Sequence, residues 1–337
     1  MHKKKKKRRK IGWFFLDYKK LPAYFYIAEG LVVFLLMFVV LLFLHQGQSS
    51  IYIFPENPKQ GETVFIRVKS SAQNVTGSFT DGKVLFFKKQ LNADKSTEWV
   101  SFLGIDADQR PGNYKIIVNV SPTEKLSKDV EVSLAGFSSE SAVESPTVSS
   151  NGTTKTKAVE NIVKNDNPPL NEVLSNFTTT PYFDSSFSFP LSKIKKTGLL
   201  FGEFISFGKD KLQHLGADLS ASKDTEVYAV NSGKIVAVLN LSNYGKTVII
   251  DHGLDIFSLY LHLDKFKVEK GEMVKKGQII GLSGDTGYVT APHLHFSIRV
   301  GTARVDPIAF IETTQKMNDS LILADISNAF LNIFNLK

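Results

Sequence analysis

The sequence predicts a mainly β protein carried on one N-terminal transmembrane helix. Short runs of β-branched and aromatic residues, separated by turn dipeptides, recur over 50–135 and 185–312. No long stretch with a 3.6-residue period appears in 185–312. An apolar run of membrane length follows a strongly basic tail.

The tail, 1–20, carries a net charge of +9, while the whole 337-residue chain carries +8. The basicity is therefore confined to one end, which excludes a nucleic-acid-binding stripe on a folded domain. Lys3–Lys10 is an unbroken basic run, suited to anionic lipid on the cytoplasmic side. Residues 21–45 read as the transmembrane helix. Leu21–Leu44 has Glu29 as its only charge and would span about 36 Å at helical rise. His45-Gln-Gly-Gln-Ser-Ser lacks a small-x-small cleavage pattern, which favours an uncleaved anchor. The positive-inside rule then puts the N-terminus in the cytoplasm and everything after the span outside it.

Residues 50–135 read as an immunoglobulin-like β-sandwich. Ile51-Tyr-Ile-Phe, Thr63-Val-Phe-Ile-Arg-Val and Tyr114-Lys-Ile-Ile-Val-Asn-Val are strands by composition, with Gly61-Glu, Asp81-Gly and Pro111-Gly as turns between strands. No catalytic cluster appears there. Residues 136–175, rich in Ser, Thr and Asn without periodicity, read as a flexible linker with few contacts across it. Residues 176–312 form a second, mainly β domain. Lys234-Ile-Val-Ala-Val-Leu, Thr247-Val-Ile-Ile-Asp and Phe257-Ser-Leu-Tyr-Leu-His are among its strands. Over 313–337, Ile322, Ile326, Phe330, Ile333 and Phe334 recur at helical spacing and predict an amphipathic helix.

The chain has no cysteine, so disulfides, thiolate zinc sites and cysteine nucleophiles are excluded. The chemistry-bearing residues are histidines of the second domain. His214 and Asp218 would lie about 13 Å apart on a straight strand, too far for one metal, and Gly216 can supply the bend that joins them. His293 and His295 flank one residue on a strand, share a face, and have α-carbons about 6.7 Å apart. His262 closes an apolar strand, an odd choice for packing alone. Two neutral imidazoles and one carboxylate make a catalytic zinc set with a fourth position open. No His-Glu-x-x-His helix supplies a base, so the remaining histidines are the candidates for proton transfer.

Residues 210–307 resemble the lysostaphin/LytM-type zinc metallopeptidases of family M23. The matching residues, in order, are His214-x-x-x-Asp218, Val248-Ile-Ile-Asp-His-Gly253, Tyr260-Leu-His-Leu263, the glycine-spaced run Val268–Gly281, Gly284-Asp-Thr-Gly287 and Pro292-His-Leu-His-Phe296. The resemblance implies one zinc per chain on His214, Asp218 and His295, with His262 and His293 in catalysis. It implies a LytM-type antiparallel β domain that hydrolyses peptide bonds of peptidoglycan stems or cross-bridges, with wall-remodelling proteins as candidate partners. A non-catalytic scaffold that activates another wall hydrolase is the alternative. Such relatives lose zinc ligands, whereas all five positions are filled here. The chain departs from the family's frequent Glu at Ser297, and from a frequent Arg after the Phe201-Gly pair. His252, in the Asp-His-Gly turn, reads as a packing residue. The Val268–Gly281 run also resembles biotinyl and lipoyl carrier domains, but Lys267, Lys270, Lys275 and Lys276 read as solvated.

Overall fold

The computed structural model describes residues 31–35, 37, 49–90, 97–139, 142–144, 149, 152–194 and 198–317. The basic tail lies outside them. Of the expected span over 21–45, only 31–35 and 37 are described, as helix with exposed side chains. No helix among the described residues is long and apolar enough to cross a membrane.

The first β region has strands β1 (Ser50–Phe54), β2 (Thr63–Lys69), β3 (Thr76–Phe79), β4 (Gly82–Val84), β5 (Phe87–Gln90), β6 (Thr97–Gly104), β7 (Gly112–Asn119) and β8 (Lys125–Val132). They form two antiparallel four-stranded sheets, β1-β2-β6-β5 and β4-β3-β7-β8. Strand alternation sends Val64, Ile66 and Val68 of β2 into one core with Ile116 and Val118 of β7. The other face of β2 and β6 is buried as well: Phe65, Val100 and Phe102 join the core of the second domain. The Phe102 ring lies 6.1 Å from Phe183 and 6.0 Å from Phe310. A strand that is apolar on both faces is one buried twice. Gly104 lies so close to Ala303 and Val300 that a side chain there would collide with them. Arg304 grips Asp106, with Nε 3.0 Å from Oδ2. The two β regions are thus packed together, where the sequence suggested few contacts between them.

Residues 136–175, expected as a flexible linker, contain β9 (Val143–Glu144), α1 (Lys155–Asn161), a π turn (Ile162–Asp166) and α2 (Asn167–Leu174). Long-range bonds account for this order. The carboxylate of Asp166 is buried and accepts the backbone N–H groups of Ser242 (2.9 Å), Asn243 (2.7 Å) and Tyr244 (3.3 Å). Asn243 donates to the Ala158 carbonyl, and Tyr244 donates to Asn167 Oδ1 at 2.9 Å. Prolines at the first turn of α2 fit the helix start, where their missing N–H costs nothing. Leu170, Val173 and Leu174 then pack on the sheet below.

That sheet belongs to the second domain. Its strands are β10 (Phe204–Phe207), β11 (Asp210–Gln213), β12 (Ala217–Ser220), β13 (Glu226–Tyr228), β14 (Gly233–Leu241), β15 (Gly245–Asp251), β16 (Ile256–Phe266), β17 (Met273–Val274), β18 (Ile279–Ser283), β19 (His293–Val300) and β20 (Ala303–Val305). A nine-stranded sheet runs β12-β19-β16-β15-β14-β17, with β13, β18 and β20 attached. A helix over 307–317 follows, and the expected C-terminal helix is described only to 317. On β19, Leu294, Phe296 and Ile298 enter the core. Their neighbours His293, His295, Ser297 and Arg299 therefore take the opposite face. Phe257, Leu259 and Leu261 of β16 stand opposite Arg299, Ser297 and His295 on that face, and α2 packs against the same apolar patch.

Candidate metal centre

The antiparallel pairing of β12 with β19 sets Asp218 directly opposite His295. His214 comes from the turn before β12, held by its backbone N–H to the Glu203 carbonyl at 2.7 Å. Gly216 lies so close to the His295 ring and the Ser297 hydroxyl that any side chain would strike both. The glycine that lets the chain bend between His214 and Asp218 thus also admits the facing strand.

His214 Nε2 lies 3.0 Å from Asp218 Oδ1 and 3.0 Å from His295 Nδ1, and His295 Nδ1 lies 2.9 Å from Asp218 Oδ1. The hydrogens on these rings are fixed from outside. Leu200 O can only accept, at 3.0 Å, so His214 Nδ1 carries the hydrogen and Nε2 keeps its lone pair. Ser297 donates to Leu215 O at 2.9 Å and so accepts from His295 Nε2–H at 3.0 Å, leaving His295 Nδ1 a lone pair. Two imidazole lone pairs and a carboxylate oxygen therefore face one point with no hydrogen between them. This donor set fits a divalent cation of zinc's type, with an outer hydrogen bond on each histidine. Among the described residues, these three are the group whose donor atoms could hold a metal ion.

The three groups also shift one another's charge. At Asp218, burial works to raise the pKa, but the nearness of His214 and His295 outweighs it and holds the carboxyl well below its usual range. At His214, burial pulls downward and Asp218 reverses it to a net rise. At His295, burial wins and the net shift is downward.

His262 and His293 stand beside this set with ring centroids 4.9 Å apart. His262 occupies the left-handed region at φ 59°, a conformation that costs energy and collects at functional sites. It lies where the pairing of β16 shifts register. Its Nδ1–H donates to the Thr286 carbonyl at 2.9 Å, so Nε2 keeps a lone pair. Burial, reinforced by the neighbouring His293 and His295, pushes its pKa down to about 3. His293 Nδ1–H donates to Ala291 O at 2.9 Å, and its Nε2 lies 3.6 Å from Asp218 Oδ1. All five sequence-predicted residues line one cavity of about 1200 Å³, which Leu170 and Leu174 of α2 also border.

His252 lies outside this cavity. It is fully buried, with Nδ1 2.8 Å from Ser232 O and Nε2 2.7 Å from the Ser258 hydroxyl. Lys267, Lys270, Lys275 and Lys276 are exposed. Sequence reasoning missed the outer partners of the donor set, the α2 wall, and Arg299. Ser297 and Arg299 could have been found by extending the period of two beyond His295.

An antiparallel sheet thus bears a His-Asp-His donor set beside two further imidazoles. Residues 212–307 match the model of peptidase family M23. The chain is 41% identical over 93 residues to the peptidoglycan DD-endopeptidase ShyB of Vibrio cholerae, covering 28% of this chain and 22% of that one. It is 39% identical over 125 residues to lysostaphin of Staphylococcus simulans, covering 35% of this chain and 25% of that one. The chain thus spans about a quarter or less of the length of these curated relatives. A crystal structure of a proposed peptidase M23 from Pseudomonas aeruginosa superposes on 77% of this chain and 95% of its own, with a TM-score of 0.50 at 22% identity, a likeness of fold.

Proposed function

We propose that the chain is a membrane-anchored zinc endopeptidase that hydrolyses peptide bonds in peptidoglycan stems or cross-bridges, outside the cytoplasm. The observation that carries the reading is the convergence of three lone pairs from His214, Asp218 and His295 beside two imidazoles whose free nitrogens face the same cavity. Zinc held there would supply a Lewis acid and an acidified water. His262 and His293 then move the proton. One takes it from the attacking water as the new C–O bond forms, and returns it to the amine as the C–N bond breaks. Their Nδ1–H bonds to Thr286 O and Ala291 O fix both tautomers, so each Nε2 is ready to accept. The ring that has taken the proton then presents a charged N–H, which steadies the negative charge that develops on the carbonyl oxygen. The peptidoglycan substrate is supported by the likeness to ShyB, a peptidoglycan DD-endopeptidase. The anchor and its topology are supported by the charge of 1–20 and the apolar run that follows. In this reading residues 50–135 are an immunoglobulin-like spacer.

The test is digestion of purified peptidoglycan by the intact chain, with mass analysis of the products. We expect new peptide termini, lost on chelation and restored by zinc. A folded chain that holds zinc and releases no product would replace this reading with the scaffold.

A further inference from the structure

Arg299 stands on the same face of β19 as His293, His295 and Ser297, at the far end of their cavity. Phe257 lies opposite it in register, so the floor around it is apolar. Its Nη1 is enclosed without a hydrogen-bond partner among the described residues. An enclosed guanidinium N–H left unmet is costly, and buried cations are ordinarily kept only when paired.

The neighbouring groups do not meet this need. Arg304 faces Arg299 across the β19–β20 register and takes up the nearby carboxylates itself, Asp106 through Nε at 3.0 Å and Asp108 through Nη2 at 2.6 Å. Tyr244 acts on Arg299 electrostatically, but its hydroxyl donates to Asn167 and burial pushes its pKa up to about 12, so it brings no negative charge at neutral pH. Burial, with the charge of Arg304 adding to it, pushes the Arg299 pKa down to about 10, which still leaves it cationic at neutral pH.

We infer that Arg299 binds a carboxylate of an extended substrate peptide lying along β19 from the donor set. The enclosed Nη1 is out of a ligand's reach, so the edge offered to the cavity is Nε–Nη2. That edge of a guanidinium matches a carboxylate with two parallel hydrogen bonds. Arg299 is four strand positions from His295, about 13 Å, so the carboxylate sits about four residues from the bond cleaved. It belongs either to an acidic side chain or to the peptide's own C-terminus. The inference rests on the peptidase reading and adds to it the charge class of the substrate.

The experiment is calorimetric titration of the zinc-free full chain with three acetylated Ala/Gly heptapeptides. One is neutral with an amidated end, one carries a single Glu and an amidated end, and one ends in a free carboxylate. Zinc-free protein keeps the measurement independent of cleavage. We expect one carboxylate probe to bind about tenfold more tightly than the neutral one, as for a charge-assisted pair. The preferred probe identifies the source as side chain or terminus. Arg299→Leu should erase the preference. Arg299→Lys, which keeps the charge and loses the fork, should retain a few-fold preference and serves if the leucine variant does not fold. Equal affinity for all three probes, or no binding of any, overturns the inference, as does a preference that survives in Arg299→Leu. Cleavage of peptidoglycan without carboxylate preference would sink this inference alone. Preference without cleavage would sink the peptidase reading and leave the peptide site.

Discussion

Two buried histidines bracket β16: His252 just before it and His262 within it. Burial pushes both pKa values down, to about 4 and about 3. They differ in what their nitrogens do. His252 has both engaged, by Ser232 and Ser258. His262 has one on Thr286 and turns the other toward the cavity, from a strained backbone. A buried, neutral imidazole is thus no sign of function by itself. The uncommitted nitrogen is, and three more histidines share that property around Asp218.

The largest test of this contrast is metal content. His295→Ala should lose essentially all zinc, because it removes one of three protein donors. His252→Ala should retain a full equivalent by elemental analysis. Equal retention by both would erase the distinction. Next is turnover. His293→Ala should keep zinc and lose about 10²–10⁴ in kcat, the usual worth of positioned proton transfer. Loss of zinc from this variant would make His293 a ligand. The outer bond comes third. Ser297→Ala removes the acceptor for His295 Nε2–H, and zinc affinity measured against a competing chelator should fall about ten- to hundredfold. An unchanged affinity would mean that the hydroxyl does not orient the ligand.

The smallest effect is on stability. His252→Asn should cost about 1–2 kcal/mol at neutral pH in denaturant titrations, the scale of a lost buried hydrogen bond. The folded state binds the His252 proton only near pH 4, the unfolded state already near 6.5. The contribution of the neutral ring is therefore complete above about 6.5 and is lost as pH falls toward 4. Asp255, raised to about 6 by burial and the charge of Asp251, titrates in the opposite sense. The readout is accordingly the difference between wild type and variant, which should shrink on acidification. A pH-independent difference would show that the ring's neutrality contributes nothing.

The cavity residues were legible because β-strand alternation and ordered motif spacing are local. His293 and His295 share a face wherever that strand goes. The order of 155–174 was not legible in the same way. It depends on Asp166 meeting a hairpin more than seventy residues later, and on Leu170 meeting the β15 and β16 face. The spacing of Leu170, Val173 and Leu174 was a faint helical sign, obscured by polar composition and two prolines. The packing of the first β region on the second had a clearer trace. Val64-Phe-Ile in β2 and Trp99-Val-Ser-Phe-Leu in β6 are apolar on both faces, which a half-solvated sheet would not require.

Asp166 clasps the hairpin through main-chain N–H groups alone, and that shapes what mutation can do. A carboxylate that reads only backbone does not distinguish one side chain from another at its target. Positions 242 and 244 can therefore drift in identity without loosening this contact, with proline the exception because it lacks the hydrogen being read. Position 166 has no such latitude: an amide in its place can accept with one oxygen where the carboxylate uses two. The α1–α2 segment is held by a constraint that falls on one end of the contact, so sequence variation among natural or selected variants should be strongly one-sided across it.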